Sequence, residues 1–219
     1  SGTAPTATTY ATAAVTLPTV AGLSATQVAD AINTALATTA VTGAQANTTG
    51  EIQALVDAYA KVLNDQSPAL ADYQALGVTL GQAAQNTTQG TNAFALFNNA
   101  AVTAAATAVD SIAELNALAS IANRIVVTAE GGLPVPALTA ADFAALGIAG
   151  VDANNLARVL AAIDRTADDA SGVAALAAVQ ALVDSVNGAL GVITAYAQSN
   201  GGSAPTEETY ALAGIAGVS

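Results

Sequence analysis

The 219-residue sequence contains no cysteine, histidine, methionine or tryptophan, and four lysines and arginines stand against 16 aspartates and glutamates. Without histidine and cysteine, the chain lacks the imidazole base, the thiolate nucleophile and the usual ligands of zinc and haem. The net charge of −12 argues against binding to nucleic acid or to an anionic membrane surface, because both need clustered basic residues. The composition therefore disfavours most enzyme classes and nucleic-acid-binding proteins.

Large side chains are also scarce, since five tyrosines and three phenylalanines supply the aromatic volume and alanine supplies most of the hydrophobic fraction. Alanine is the best helix former and lets helices approach closely, which predicts a thin helical core without a deep ligand pocket. The apolar runs are interrupted, for example at Asp142, Asp164 and Asp184, before they reach the roughly 20 residues of a membrane span. We therefore expect no transmembrane helix.

The absence of methionine predicts that the sequence is part of a longer protein. The first two residues, Ser1-Gly2, resemble the remnant of a cleaved tag, and no signal peptide is visible. The lack of cysteine fits a reducing cytosol and a large, disulfide-free bacterial exoprotein equally well. Cysteine usage therefore does not decide the compartment.

Two kinds of segment recur along the chain and predict internal repeats. The first, the aromatic segment, occurs four times, at Pro5–Tyr10, Pro68–Tyr73, Leu138–Phe143 and Pro205–Tyr210. The second, the Ala-Leu segment, occurs three times, at Ile52–Asp57, Leu115–Ser120 and Val179–Asp184. Because the two keep nearly the same spacing, we predict three repeats, at 1–66, 67–135 and 136–203, and the truncated start of a fourth at 204–219.

Each repeat is predicted to begin with a short helix. In the second repeat this helix is expected to start near Ser67-Pro68, where serine caps the helix and proline takes its first position. Gly77 and Gly147 stand where a helix that ends in the left-handed conformation needs glycine. The spacing therefore predicts short helices that end just before these glycines.

Two longer helices follow in each repeat. The second helix of the first repeat is predicted to start at Ser24, which forms a capping-box pattern with Gln27. In the second repeat, residues 81–90 are rich in glutamine, asparagine and threonine, so its second helix is expected to start late, near Thr91.

The third helix of the first two repeats has the clearest pattern. Capping boxes at Thr48 with Glu51 and at Ser111 with Glu114 each precede apolar residues at helical spacing. One amphipathic helix cannot bury its apolar stripe alone, so the three helices of a repeat must pack on one another. The sequence therefore predicts an all-α fold of tandem three-helix-bundle repeats of about 65 residues, arranged in an elongated array.

Acidic residues cluster in three places: Glu51 with Asp57, Asp164 with Asp168 and Asp169, and Glu207 with Glu208. Paired carboxylates serve acid–base catalysis when one pKa is raised in a cleft, whereas acids on alanine-rich helices are usually solvated or stabilise helix N-termini. The run from 164 to 169 leaves a calcium contact open as an alternative, although it lacks the glycine and distal glutamate of an EF-hand loop. We therefore predict no catalytic, cofactor-binding or metal-binding residues.

Three further patterns have a functional and a structural interpretation. Gly147–Gly150 and Gly214–Gly217 have no lysine after them and no strand before them, so they favour a repeated turn over a phosphate-binding loop. Asn47 and Asn86 begin glycosylation patterns, which are common by chance in a threonine-rich chain. The recurring aromatic residues suit core packing better than a row of binding sites. They are Tyr10, Tyr73, Phe143 and Tyr210.

The segment Asp142–Val151, continued to Leu156, and the Ala-Leu segments resemble the Ala/Thr-rich helical repeats of very large bacterial surface proteins and adhesins. The resemblance covers nearly the whole chain and is weakest at 80–90. It implies a location outside the cell or on the bacterial surface, neighbouring repeats of the same chain as partners, and no catalytic residues. The attachment target does not follow from it.

These observations predict a non-enzymatic spacer that holds terminal binding modules away from the cell. A linear array adds length without adding a fold that is hard to form, and negative charge keeps an extended chain soluble. Three alternatives stay open: a module whose surfaces bind a protein, glycan or surface; a surface-layer or ice-binding role; and an enzyme that uses carboxylates and tyrosines. Exposed apolar residues on one outer face would favour the binding module.

Overall fold

The computed structural model describes residues 3–38, 41–199 and 203–217. Ser1-Gly2, residues 200–202 and the last two residues of the predicted fourth repeat lie outside them. Within the described ranges the chain forms α-helices, turns and short 3-10 helices and no strand, which confirms the all-α prediction. The helices are α1 (Ala7–Thr12), α2 (Ala25–Leu36), α3 (Thr49–Leu63), α4 (Leu70–Ala75), α5 (Thr88–Thr103), α6 (Ile112–Ala129), α7 (Ala140–Ala145), α8 (Leu156–Asp164), α9 (Leu176–Ser199) and α10 (Glu207–Leu212).

The chain divides into two compact units, one made of Ser1–Gln85 and Phe97–Ser120 and the other of Asn86–Leu96 and Ile121–Ser219. In the first unit, α2 packs against α1 and α3, and α4 packs against α3. In the second unit, α8 packs against α9, and α10 contacts both. The division into repeats at 1–66, 67–135 and 136–203 stays a prediction.

Large residues fill a few places in each core, and alanines lie between them. In the first unit, the rings of Tyr73 and Phe97 are fully buried and meet edge to face, with their centroids 4.7 Å apart. In the second unit, Phe143 and Ile163 are fully buried. Buried alanines such as Ala162 leave room for neighbouring helices to approach closely. The thin, alanine-rich core follows from the composition.

The predicted capping boxes start their helices as expected. In each box the serine or threonine hydroxyl accepts the backbone N–H of the residue three positions later, at 3.2–3.3 Å. The boxes are Ser24 with Gln27, Thr48 with Glu51, and Ser111 with Glu114.

Two predicted helix starts are wrong. Helix α4 begins at Leu70, beyond the predicted Ser67-Pro68, because the carboxylate of Asp72 accepts the N–H of Ala69 at 2.7 Å and fixes the first turn there. Helix α5 begins at Thr88, before the predicted start near Thr91.

The early start of α5 has a local cause. The hydroxyl of Thr87 accepts the N–H of Gly90 at 3.0 Å and caps the first turn. The first four residues of the run from 81 to 90 form a 3-10 helix, Gly81–Ala84. The polar run therefore contains a helix cap and the first residues of the helix.

The short helices end as their glycines predict. Gly77 and Gly147 take φ values of +78° and +81°, and the following amide donates back into the last turn at 2.9–3.0 Å. Helix α1 ends in the same way, although its residue at this position is Ala14, with a φ of +59°. An alanine therefore holds a conformation that favours glycine.

Candidate functional site

An amide side chain of each Ala-Leu segment contacts the backbone of the turn that follows the aromatic segment, an arrangement that we call the amide clamp. In the first repeat, the backbone N–H of Thr16 donates to Oε1 of Gln53 at 2.7 Å, and Nε2 of Gln53 donates to the Thr16 carbonyl at 3.1 Å. In the third repeat, Gln180 makes the same pair of hydrogen bonds with Ala149, at 2.8 and 3.1 Å. Each glutamine thereby holds the turn after a short helix against the third helix of the same repeat.

The second repeat uses a shorter side chain at the same place. Asn116 stands where the other Ala-Leu segments have glutamine, and its Oδ1 accepts the N–H of Thr79 at 2.6 Å. The clamp therefore occurs in all three predicted repeats. Its backbone partner lies six residues after the recurring aromatic residue each time, so the clamp gives the nearly constant spacing of the aromatic and Ala-Leu segments a structural cause.

The acid pair Glu51 and Asp57 does not form one site. Glu51 accepts the N–H groups of Asn47 and Thr48 at the start of α3. Asp57 accepts from Nε2 of Gln53 at 2.8 Å, and Asp184 of the third repeat accepts from Gln180 in the same way, at 2.9 Å. One acid therefore caps a helix and the other orients the clamp.

Three of the four recurring aromatic residues are buried: Tyr10, Tyr73 and Phe143. Burial agrees with their predicted role in core packing. The two tyrosine hydroxyls each donate to Oδ1 of an asparagine on the next helix of their repeat, Asn33 or Asn98, at 2.7 Å. Burial raises the pKa of Tyr10 to about 12 and also raises the pKa of Tyr73. These tyrosines therefore join the short helix to the second helix as neutral donors.

The basic residues bind acids of the short helices. Lys61 of α3 pairs with Asp72 of α4 at 2.6 Å, and Arg124 of α6 pairs with Asp142 of α7 at 2.6 Å. Arg165, directly after α8, pairs with Glu208 of α10 at 3.7 Å. Of these, Arg124–Asp142 is bidentate, with a second hydrogen bond of 3.1 Å. Most of the few cations are therefore used between elements of the chain itself.

The pair Arg124–Asp142 is the most shielded of the three, with 12% and 17% of the two side chains exposed. Burial raises the pKa of Asp142, but the hydrogen bonds from Arg124 and Thr139 and the arginine charge outweigh it and hold that pKa below its usual value. Asp142 also accepts the N–H of Thr139 at 2.7 Å. One carboxylate thus caps α7 and fastens it to α6.

The segment after Val151, which carries part of the resemblance, has a structural task. The buried Asn155 donates to the Gly150 carbonyl and to Oδ1 of Asn187, both at 2.6 Å. Asp152 accepts the N–H groups of Asn154 and Asn155, and these hydrogen bonds lower its pKa. The motif therefore begins α8 and ties the preceding turn to α9, and the Gly147–Gly150 turn is part of this network.

The other acidic clusters serve local structure. Asp169 accepts the N–H of Ser171 at 2.8 Å, and hydrogen bonds from Ser171 lower its pKa. Glu207 and Glu208 lie in the first turn of α10. In the part of the chain that the structure describes, no group of three or more acidic side chains is placed to hold a metal ion.

Asp110, just before α6, and Glu114, in the first turn of α6, form a further acid pair. Burial, followed by the nearby charge of Glu114 and a hydrogen bond with it, raises the pKa of Asp110. Glu114 itself completes the capping box with Ser111 at 3.0 Å. Two acids four residues apart at a helix start were the available signal. The capping of α6 holds Glu114 close to Asp110.

No protein-family model, curated protein sequence or solved structure matches this chain. By length and apolar composition alone, two of the described helices, α6 and α9, are able to cross a membrane. More than half of the apolar window of α6 is buried within the protein, as in the core helix of a soluble protein, whereas about a fifth of α9 is buried.

Proposed function

We propose that this chain is a non-enzymatic spacer of a large, secreted or cell-surface bacterial adhesin. In this proposal, tandem three-helix repeats form an elongated array, neighbouring repeats of the same chain are the partners, and the array carries terminal binding modules away from the cell. The observation that carries the proposal is the amide clamp, which recurs in the three predicted repeats and whose amide side chain comes from the recurring Ala-Leu segment each time.

The chemistry of the recurring residues supports this function. Clamp glutamines, buried aromatic rings and acids that pair with arginine or lysine all contact other parts of the same chain. A recurring binding or catalytic site would instead present polar groups together in a cleft. Repetition of internal contacts is what a length-adding array requires, because each unit is stabilised by its neighbours.

Small-angle X-ray scattering of the chain, with and without Ca²⁺, tests the proposal. A compact domain of this length has a radius of gyration of about 17 Å. A rod of three bundles, each about 24 Å long, has a radius of gyration above about 20 Å. The larger value is expected, and a change with Ca²⁺ would show that the chain binds the metal. A value near 17 Å would contradict the spacer.

One observation favours a binding module as the second candidate. Leu133 and Val135, in the turn between α6 and α7, are 92% and 93% exposed, although apolar side chains of this size are usually buried. A screen of the chain against glycans and cell surfaces tests this candidate. Binding that is lost in a Leu133→Asp/Val135→Asp variant would support it, and no signal from the unaltered chain would exclude it.

A further inference from the structure

Positions that are buried in the earlier repeats are exposed on α9 and just after α10. Ile215 is 41% exposed, whereas the equivalent residues Val15, Val78 and Ile148 are at most 7% exposed. Leu190 is 44% exposed, whereas its equivalents in the other two Ala-Leu helices, Leu63 and Val126, are 8% and 0% exposed. Tyr210 is half-buried, unlike the three earlier aromatic residues. We call Leu190, Tyr210 and Ile215 the open face.

The short helix of the predicted fourth repeat is already in place at this face. Helix α10 contacts α9, just as α4 contacts α3 in the first unit. The exposure of Leu190 and Ile215 therefore does not come from a missing short helix. In every earlier repeat the next α-helix is the second helix, α2, α5 or α8.

Tyr210 indicates which element packs on the open face. In the first two repeats, the second helix supplies the asparagine that accepts the tyrosine hydroxyl, from Tyr10 to Asn33 and from Tyr73 to Asn98. Helix α2 also packs directly on α1. Tyr210 likewise lies on a short helix, α10. Among the described residues, α10 contacts α8 and α9, which belong to the preceding predicted repeat.

We propose that the open face binds the second helix of a further repeat of this same type, an amphipathic helix like α2 with an asparagine that accepts the Tyr210 hydroxyl. This inference rests on the proposed function, since it names the contact by which one repeat holds the next. The docked helix buries Leu190 and Ile215. Its asparagine accepts a hydrogen bond from the Tyr210 hydroxyl, which is buried at the same time.

An extended chain tests the contact. In this chain, residues 1–215 are followed by a copy of residues 16–66. The copy of Asn33 then lies as many residues after Tyr210 as Asn33 lies after Tyr10. Hydrogen exchange is compared in the original and extended chains. We expect the amides of 186–199 to exchange at least about tenfold more slowly in the extended chain. A Leu190→Asp change should abolish this slowing, while Gln198→Glu, on an exposed residue of the same helix, should not.

Three results would overturn the inference. The first is unchanged hydrogen exchange of the amides of 186–199 in the extended chain, even if the added segment is itself protected. Docking of the added helix on the open face must slow exchange in this part of α9. The second is sedimentation of the original chain as a dimer that Leu190→Asp dissociates, which would assign the face to a second copy. The third is Leu190-dependent binding to vesicles of phosphatidylcholine and phosphatidylglycerol. Scattering tests the spacer separately, because an elongated original chain remains compatible with each of these results.

Discussion

At the scale of single residues, Ala14 holds a left-handed conformation at a position where Gly77, Gly147 and Gly214 end the other short helices. Glycine adopts this conformation without the steric cost that Cβ imposes, although it loses more entropy on folding. We expect Ala14→Gly to stabilise the chain by about 0.5–1 kcal/mol, measured by urea unfolding.

The matched change in the opposite direction is Gly147→Ala. A Cβ at Gly147 would meet no atom within 4 Å, so backbone strain alone is tested there. We expect this variant to lose at least about 1 kcal/mol. Equal stability of both variants and the unaltered chain would show that the conformation at these turns carries no cost.

The Arg124–Asp142 pair gives a pH-dependent prediction. Because the pKa of Asp142 is lowered in the folded chain, its contribution is present above the unfolded pKa of about 4 and is lost as the pH falls below that value. Asp142→Asn should cost about 1.5–3 kcal/mol at pH 7. The difference from the unaltered chain should shrink below about pH 4.

Urea unfolding between pH 3 and 7 measures this difference. The control is Asp30→Asn, since Asp30 is an exposed residue of α2. Its effect should be small at neutral pH. A cost for Asp142→Asn that stays constant from pH 7 to 3 would show that the carboxylate charge is not what stabilises the contact between α6 and α7.

At the scale of elements, the amide clamp predicts a graded series of variants. Gln180→Leu removes both hydrogen bonds to Ala149. Because Ala149 is exposed and water replaces part of these bonds, we expect the free energy of unfolding to fall by about 1–2 kcal/mol. Gln180→Asn should lose less, because Asn116 shows that the shorter amide still reaches the backbone N–H in the second repeat. Gln198→Leu, on an exposed part of α9, is the control.

Hydrogen exchange of the Ala149 amide reports on the clamp directly. Its rate should rise in Gln180→Leu and change little in Gln180→Asn and Gln198→Leu. If Gln180→Leu unfolds at the same urea concentration as the unaltered chain and the Ala149 amide exchanges at the same rate, the clamp does not hold the turn to α9. The structural explanation of the recurring segments would then fail with it.

The elements differ in how far the sequence predicts them. Helices α3 and α6 are predictable because a capping box and an apolar stripe agree on where each begins. The start of α5 is not, because several residues between 81 and 90 are able to cap, and the sequence does not show that Thr87 is the one that does. The start of α4 is missed because its N-cap is Ala69, which has no capping side chain.

The clamp was beyond sequence reasoning for a different reason. Gln53 and Thr16 lie 37 residues apart, and Gln180 and Ala149 lie 31 apart. Recurrence of two segments indicates that both matter to the repeat, but it does not say which side chain reaches which backbone group. That information comes from the packing of the helices.

At the scale of the whole molecule, the net charge of −12 on a chain with four basic residues predicts a response to salt. Repulsion among exposed acids such as Asp168 and Glu207 destabilises the folded chain and is screened when the Debye length falls from about 30 Å at 0.01 M salt to about 3 Å at 1 M. The shielded Arg124–Asp142 pair is screened much less. Added salt should therefore stabilise the chain.

We expect the midpoint of thermal unfolding to rise by a few degrees between 10 mM and 1 M NaCl, since about 1 kcal/mol moves it by about 2–4 °C in a chain of this size. Circular dichroism measures it, and CaCl₂ at matched ionic strength is the comparison. An equal rise in both salts indicates screening alone, whereas a larger rise in CaCl₂ indicates a specific calcium contact. A midpoint that falls with NaCl would contradict the expected self-repulsion, because attraction between opposite charges would then dominate the folded state.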